Sequence, residues 1–365
     1  MGFRDEHNFS GGPGALPATV LTQVRQAIEE VPDTGLSLLG LSHRSDWFAA
    51  LLATAEARLR QLLGLDDAWA VLFLQGGATQ QFSMVPMSFL RRTGPAADYI
   101  ETGYWSAKSL PHASRCGPVR IAYSGRAEGF RALPEAAAHY YNSDAAYLHY
   151  VSNETVEGLQ FHHIPGHATV RRFCDMSSDF LSRPIDLSRF DLIYAHAQKN
   201  IGPAGVTVVL LRRDLLAQIP DDLPDFLDYR QHLAAASRLN TPPVFAIFVV
   251  ERVLHWLQRE VGGLTAMQDI NARKAATLYA VIDEFPHFYR PHACTVDRSQ
   301  MNVVLHLPCA EDDEAFLQAC AQEGFVGLAG HRSLGGVRAS LYNAMGLAAT
   351  EDLADFMRHY ARRRA

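Results

Sequence analysis

No stretch of the 365 residues approaches the roughly 20 consecutive apolar residues that a helix needs to cross a bilayer, so no membrane-spanning protein is expected. Cysteine is scarce. Cys116, Cys174, Cys294, Cys309 and Cys320 are scattered, odd in number and without a C-x-x-C pair. That argues against a disulfide framework or a zinc site and for reduced thiols in a cytoplasm. Positive charge is not in excess: 33 Lys and Arg stand against 39 Asp and Glu, a formal net charge of −6. A chain without a basic field is a poor partner for nucleic acid. Met1 to Asn8 carry no apolar signal-peptide core, and Glu6 stands where a myristoylation signal needs Ser or Thr. G-x-G-x-x-G, the Walker A loop and the Gly-x-Ser-x-Gly elbow are all missing. Dinucleotide binding, P-loop chemistry and an elbow-type serine nucleophile are therefore disfavoured. Neither an internal repeat nor a low-complexity segment occurs.

What is present is an alternation of element signals. With 48% hydrophobic and 20% charged residues, the chain has the composition of a soluble globular protein and, by length, material for two domains. Pro17 opens a helical pattern through Val20, Leu21, Val24, Ile28 and Val31, and Leu51 to Leu63 mark a second helix ending at Gly64. Short apolar runs then alternate with helix-like segments, at 70–74, 98–100, 120–123, 146–151, 191–195 and 206–211. Runs apolar throughout suit a mainly parallel sheet covered on both faces, so the expected class is α/β. Val244 to Leu257 reads as a buried helix and Leu264 to Ile282 as an amphipathic one. Strand signals at 302–307 and 336–341, a helix around 312–322 and a terminal helix from Glu351 suggest a small α+β domain. The expected division is a segment 1–15 joining the small domain, a large domain 16–263 and a small domain 264–365, with the break near Gly262-Gly263.

Lys199 lies between the two apolar runs 191–195 and 206–211, a setting that lowers a lysine pKa and favours Schiff-base chemistry. Asp175 follows a shorter apolar patch upstream. A lysine to hold an aldehyde and a carboxylate to keep a pyridine nitrogen protonated are what pyridoxal phosphate needs. The segment Leu74-Gln-Gly-Gly-Ala-Thr-Gln-Gln-Phe82 connects a strand to a helical pattern, where backbone N–H groups and the helix dipole attract an anion. Alone, it is more often a tight turn. Gly103-Tyr-Trp105, at a strand's carboxyl end, offers an aromatic face for a flat ring, although an isolated tryptophan is more often core. Thr155 is a hydroxyl donor in what would otherwise be read as a turn. Ser42-His-Arg-Ser45 and Gly330-His-Arg332, with Arg338 on an apolar strand, are the basic clusters. Arginines bind carboxylate and phosphate bidentately. His331 has no acidic or His partner at ligand spacing, so anion binding is expected there and no metal site.

Taken together these residues resemble the phosphoserine aminotransferase family, class V aminotransferases of pyridoxal-phosphate fold type I. The match runs from Asn8-Phe-Ser-Gly-Gly-Pro-Gly-Ala-Leu-Pro17 to Gly335-Gly-Val-Arg-Ala-Ser-Leu-Tyr-Asn-Ala-Met345. Between them lie Ser42-His-Arg44, Gly103-Tyr-Trp105, Asn153-Glu-Thr155, Leu181-Ser-Arg-Pro-Ile-Asp186, Ala197-Gln-Lys-Asn-Ile-Gly-Pro-Ala-Gly205 and Asn240-Thr-Pro-Pro243. The resemblance implies a large domain built on a mainly parallel seven-stranded sheet flanked by helices, plus a small α+β domain. It implies pyridoxal 5′-phosphate bound to Lys199, with Asp175 at the pyridine nitrogen, Trp105 stacked on the ring and Thr155 at its phenolic oxygen. Ala78, Thr79 and Gln198 hold the cofactor phosphate, and Asn240 and Thr241 complete that cup from the second subunit of a homodimer. Arg338 takes the substrate carboxylate. His331 and Arg332, with His43 and Arg44 of the partner subunit, take the distal anion. The implied reaction is ping-pong transamination between glutamate and 3-phosphohydroxypyruvate in cytoplasmic serine biosynthesis. The 4-phosphooxy keto acid of pyridoxine biosynthesis is a second acceptor by the same resemblance.

The chain departs from some members at Gly11, Thr79, Gln300 and Ala329, positions that bear on substrate preference rather than on cofactor chemistry. Three other readings stay open: an aminotransferase for another acidic or phosphorylated keto acid, another enzyme of the fold such as a serine–pyruvate aminotransferase or a cysteine desulfurase, and a non-catalytic binding protein. Retention of both His-Arg clusters speaks against the second, and of Lys199 with Asp175 against the third.

Overall fold

Apolar runs and helical patterns become elements close to where their spacing puts them. The computed structural model describes residues 7–135, 141–167 and 169–364, so the readings made on residues 1–6 lie outside the described residues. Helices α1 Ala18–Glu29 and α2 Asp46–Leu63 come first. Pro17 sits at the N-cap of α1. Ser45 caps α2 by accepting from Phe48 N–H, and Gly64 ends it in the left-handed region with φ of 67°.

Strands and helices then alternate: β1 Trp69–Gln75, α3 Ala78–Phe89, β2 Ala97–Glu101, α4 Tyr104–Ser114, β3 Val119–Ser124 and β4 Leu148–Val151. A small hairpin follows, β5 Asn153–Glu154 and β6 Leu159–Gln160, and then β7 Arg172–Asp175, β8 Leu192–His196 and β9 Val206–Arg212. Helices α5 Tyr229–Ala234 and α6 Val244–Trp256 lead to Gly262-Gly263 and α7 Leu264–Glu284. The chain continues through β10 Arg290–Pro291, β11 Asn302–His306, α8 Ala310–Gln322, β12 Val337–Ser340 and α9 Leu347–Arg364. Two local readings are corrected. The terminal helix begins at Leu347 rather than Glu351, because Ala348, Ala349 and Thr350 continue its first turn and Thr350 Oγ1 donates to the Gly346 carbonyl. Tyr104 and Trp105 open α4 instead of ending β2, which stops at Glu101.

Seven strands form one sheet in the order β1-β9-β8-β7-β4-β2-β3. Only β9 runs against its neighbours, so the other six share a direction. Both faces are covered, which is why the strands read as continuous apolar runs. Val71 and Phe73 of β1 enter one core cluster with Val208 and Leu210 of β9, while Leu72 and Leu74 enter the opposite cluster with Val209 and Leu211. Each such burial contributes about 1.5–3 kcal/mol. A third cluster, with Leu278, Val303, Leu305, Phe316 and Leu353, packs α7, α8 and α9 on the antiparallel sheet β10-β11-β12. Phe9 belongs to it: its N–H donates to Val326 O at 2.9 Å and its carbonyl accepts from Ser340 N–H at 3.1 Å. Among the described residues no helix is long and apolar enough to cross a membrane. The shared strand direction gathers Gln75, Glu101, Val151, Asp175 and His196 at one end of the large sheet. In open α/β sheets that end is where ligands bind.

Candidate active site

Lys199 lies part-buried in the turn between β8 and β9, with Nζ 4.9 Å from the centroid of the Trp105 ring. Burial lowers its pKa, against the charges of Asp175 and Glu154, and the Arg338 guanidinium lowers it further. Asp175 is the last residue of β7, and its Oδ1 accepts from Ser177 N–H at 2.8 Å. Burial raises its pKa while Lys199 pulls it back. The two groups thus act on each other electrostatically, each favouring the charge of the other against its own desolvation.

Trp105 is held by the start of α4. Tyr104 N–H donates to Glu157 Oε1 at 2.9 Å, Trp105 N–H to Glu154 Oε2 at 3.0 Å and Ser106 N–H to Glu154 Oε1 at 2.8 Å. Two buried carboxyl groups therefore occupy the N–H groups that a helix leaves open at its positive end. The indole Nε1–H donates to Thr155 Oγ1 at 3.0 Å. No side chain fits at Gly103, where a Cβ would lie 2.4 Å from Glu157 Oε2. Burial, then the neighbouring Glu154 charge, pushes Glu157 up to about 9, so it holds a proton near neutral pH.

The start of α3 is built differently. Gly76 has φ of 97°, Gly77 is the N-cap, and no side chain caps the helix. Ala78 and Thr79 form its first turn, and uncapped helix starts of this kind attract anions through their N–H groups and dipole. His196 packs against it: a Cβ on Gly77 would lie 3.1 Å from His196 Cε1. Burial, then the Lys199 charge, pushes His196 down to about 4, so the ring is neutral. Gln198 is tied instead to the N-terminal segment: its carbonyl accepts from Gly14 N–H at 2.8 Å.

Arg338, opposite Val304 in the small sheet, completes the group. Its Nη1 reaches the Thr155 carbonyl at 3.5 Å, and its buried Nε has no protein acceptor. Gly11 gives it room, since a Cβ there would lie 2.2 Å from Nη2. The His331 ring lies 4.7 Å from the Tyr104 ring, and burial, then Arg338 and Arg332, lowers its pKa. Arg332 is exposed beside it.

Lys199, Asp175, Trp105, Thr155, Arg338 and His331 are therefore gathered around one cleft, with Gln198 adjacent to Lys199 in the chain and Ala78 and Thr79 at the α3 start. His43 and Arg44 are not part of that group. They share a cavity of about 380 Å³ with Asn240, Thr241 and Arg238, and Lys199 is not among its lining residues. Among the described residues no group of three or more His, Cys, Asp or Glu could hold a metal ion. Sequence reasoning passed over Glu154, Glu157, His196 and Arg238. Glu154 and Glu157 had a signal: two acidic residues in the otherwise uncharged stretch Val151 to Gly158, directly after a buried strand. His196 had none, because its role depends on contact with Gly77.

Comparison with known proteins gives the family and the fold. The Aminotransferase class-V family profile matches residues 7–353. A phosphoserine aminotransferase of Geobacillus kaustophilus is 48% identical over 357 residues, covering 98% of each chain. The phosphoserine aminotransferase structure from Bacillus circulans subsp. alkalophilus superposes with a TM-score of 0.94 at 44% identity, over 98% of this chain and 99% of that one. A PLP-bound phosphoserine aminotransferase from Trichomonas vaginalis gives a TM-score of 0.88 at 34% identity, over 96% and 99%.

Proposed function

This chain belongs to aminotransferase class V and, within it, to the phosphoserine aminotransferase family, and from that premise we propose that it exchanges an amino group between glutamate and 3-phosphohydroxypyruvate with pyridoxal 5′-phosphate held at Lys199. The observation that carries this reading is the meeting of three groups: a lysine with a lowered pKa 4.9 Å from an indole ring, a buried aspartate, and an arginine whose buried Nε has no protein acceptor. The open turn of α3 supplies the phosphate subsite, so the residues present fit the cofactor. When bound, pyridoxal phosphate supplies an aldehyde for an amine and a ring that takes up the electrons of a broken Cα–H bond.

The protein's own groups do the rest. Lys199 would hold the aldehyde, and its free amine would carry the Cα proton, a task its lowered pKa favours. Asp175 keeps a proton at the pyridine nitrogen. Trp105 offers its ring face. Thr155 Oγ1 already accepts from the indole, which leaves its own O–H to donate to the ring oxygen. Ala78, Thr79 and Gln198 hold the phosphate. Arg338 takes the α-carboxylate common to both substrates, and His331 with Arg332 takes the distal γ-carboxylate or phosphate. His43, Arg44, Asn240 and Thr241 line a cavity apart from Lys199, and in the proposed assembly they serve the cleft of a second copy. We accordingly infer a homodimer with shared sites, working in serine biosynthesis in the cytoplasm, where its free cysteines stay reduced. The 4-phosphooxy keto acid of pyridoxine biosynthesis offers the same two anions. The large and small domains, 16–263 and 264–365, carry Lys199 and Arg338 respectively.

The test is the half-reaction of the cofactor-loaded protein with phosphoserine, glutamate and serine in turn, followed by visible absorbance. Rapid bleaching by phosphoserine and glutamate but not by serine is expected. Bleaching by glutamate alone would discard the phosphorylated acceptor and retain the aminotransferase. Lys199→Ala should lose the visible band and turnover together.

A further inference from the structure

Three asparagine side chains close on three consecutive carbonyls. Asn200 Nδ2 donates to Phe180 O at 2.6 Å, Asn343 Nδ2 to Leu181 O at 2.9 Å and Asn271 Nδ2 to Ser182 O at 3.1 Å. The three are also bonded to one another. Asn271 Nδ2 donates to Asn343 Oδ1 at 2.9 Å, and Asn343 N–H to Asn200 Oδ1 at 2.8 Å. Their exposures are 6, 1 and 4% for Asn200, Asn271 and Asn343, so these bonds are shielded from water.

The middle residue of the loop explains why it needs holding. Leu181 has φ of 59°, a left-handed conformation unfavourable for a leucine. Such a conformation persists only where its surroundings over-determine it. Here three amides do so, and they come from distant parts of the chain. Asn200 follows Lys199 directly. Asn343 follows Tyr342, whose hydroxyl donates to Gly11 O at 2.8 Å, and stands five residues beyond Arg338. Asn271 is on α7, where the fully buried Lys274 donates to Leu341 O and Tyr342 O at 2.9 and 2.8 Å. One strained loop thus bonds both to the turn that carries the reactive amine and to the segment that follows the carboxylate-binding strand.

We propose that Asn343, with Asn200 and Asn271, is a positioning residue that sets the spacing of Lys199 and Arg338 through the backbone of residues 180–182. The inference rests on the roles assigned above to those two groups. A looser loop lets the α-carboxylate anchor and the amine drift apart, and a misplacement of about 1 Å costs up to a hundredfold in rate.

The experiment compares wild type, Asn343→Ala and Asn271→Ala as full-length, cofactor-loaded protein. Two quantities are read: the dissociation constant and limiting rate of the glutamate half-reaction, and, without substrate, hydrogen exchange of the backbone at 178–184. Asn343→Ala is expected to weaken glutamate and slow the limiting rate, each about tenfold, with faster exchange at 178–184. Asn271→Ala, which spares the Asn200–Asn343 bond, should move both in the same direction by less, and it carries the test if Asn343→Ala does not fold. Faster exchange with glutamate parameters within about twofold of wild type would reduce the cluster to a stabilising role and overturn the proposal. Unchanged exchange in both variants overturns it as well. Wild type unreactive towards glutamate overturns the aminotransferase reading instead, which keeps the two failures apart.

Discussion

Helices α3 and α4 both begin at the same end of the large sheet, beside the same cleft, and their N-termini are treated in opposite ways. The α4 end is filled from within: Glu154 and Glu157 accept from Tyr104, Trp105 and Ser106, and Gly103 leaves space for them. The α3 end is left without a side-chain cap. Both ends attract negative charge for the same reason, the aligned dipoles and unpaired N–H groups of a helix start. The protein places its own carboxyl groups where an aromatic ring is held still and leaves the other end free for the phosphate of the proposed cofactor. A filled helix end positions a side chain, and an open one binds an anion.

The largest effect is expected from emptying the filled end. Glu154→Ala removes the acceptor of two N–H groups at once, each costing about 1–3 kcal/mol when left unpaired in a buried site. A lower urea midpoint and loss of most of the half-reaction rate should appear together. A stable variant with an unaltered rate would show that Trp105 does not depend on this carboxylate.

Glu157→Gln tests the second carboxyl of that end through pH. Burial raises the folded pKa from 4.5 to about 9, so the folded protein binds a proton that the unfolded chain releases across that window. Stability from this group therefore falls as pH rises from 4.5 towards 9, and below 4.5 the penalty is absent. The amide keeps an acceptor for Tyr104 N–H and has no proton to lose. The variant should gain about 1–3 kcal/mol over wild type at pH 8 and little at pH 5, as measured by urea unfolding. Equal differences at both pH values would disprove the assignment.

The smallest effect comes from filling the open end. Thr79→Asp places a carboxylate in the first turn of α3, which should stabilise the cofactor-free protein by roughly 0.3–1 kcal/mol. The same charge should weaken pyridoxal phosphate about tenfold, since it competes for the same N–H groups. Opposite signs for apoprotein melting temperature and cofactor affinity are the signature sought. A change of the same sign in both would mean that the phosphate sits elsewhere.

Residues of this cleft differed in how far they could be read beforehand. Lys199 was legible because β8 and β9 are covered on both faces and so print as two apolar runs around it. Asp175, a carboxylate ending a short buried run, was legible for the same reason. Trp105 was found but misplaced: Gly103-Tyr-Trp105 reads as a strand end until Glu154 and Glu157 are seen to start a helix there. Glu154 lies 49 residues from the N–H it accepts at Trp105, and Asn343 lies 143 residues from Asn200. No period of 2 or 3.6 carries such pairings.

The order of the elements, the two-faced sheet and the placing of Lys199 between two strands follow from the sequence by itself, because burial on both faces writes long apolar runs and a lone lysine between them stands out. Only the tertiary structure decided which helix end is filled and which is open, how Gly11 makes room for Arg338, and which asparagines hold Leu181. Those outcomes depend on contacts of two to four ångströms between distant segments, a distance scale on which chain folding acts and local pattern does not.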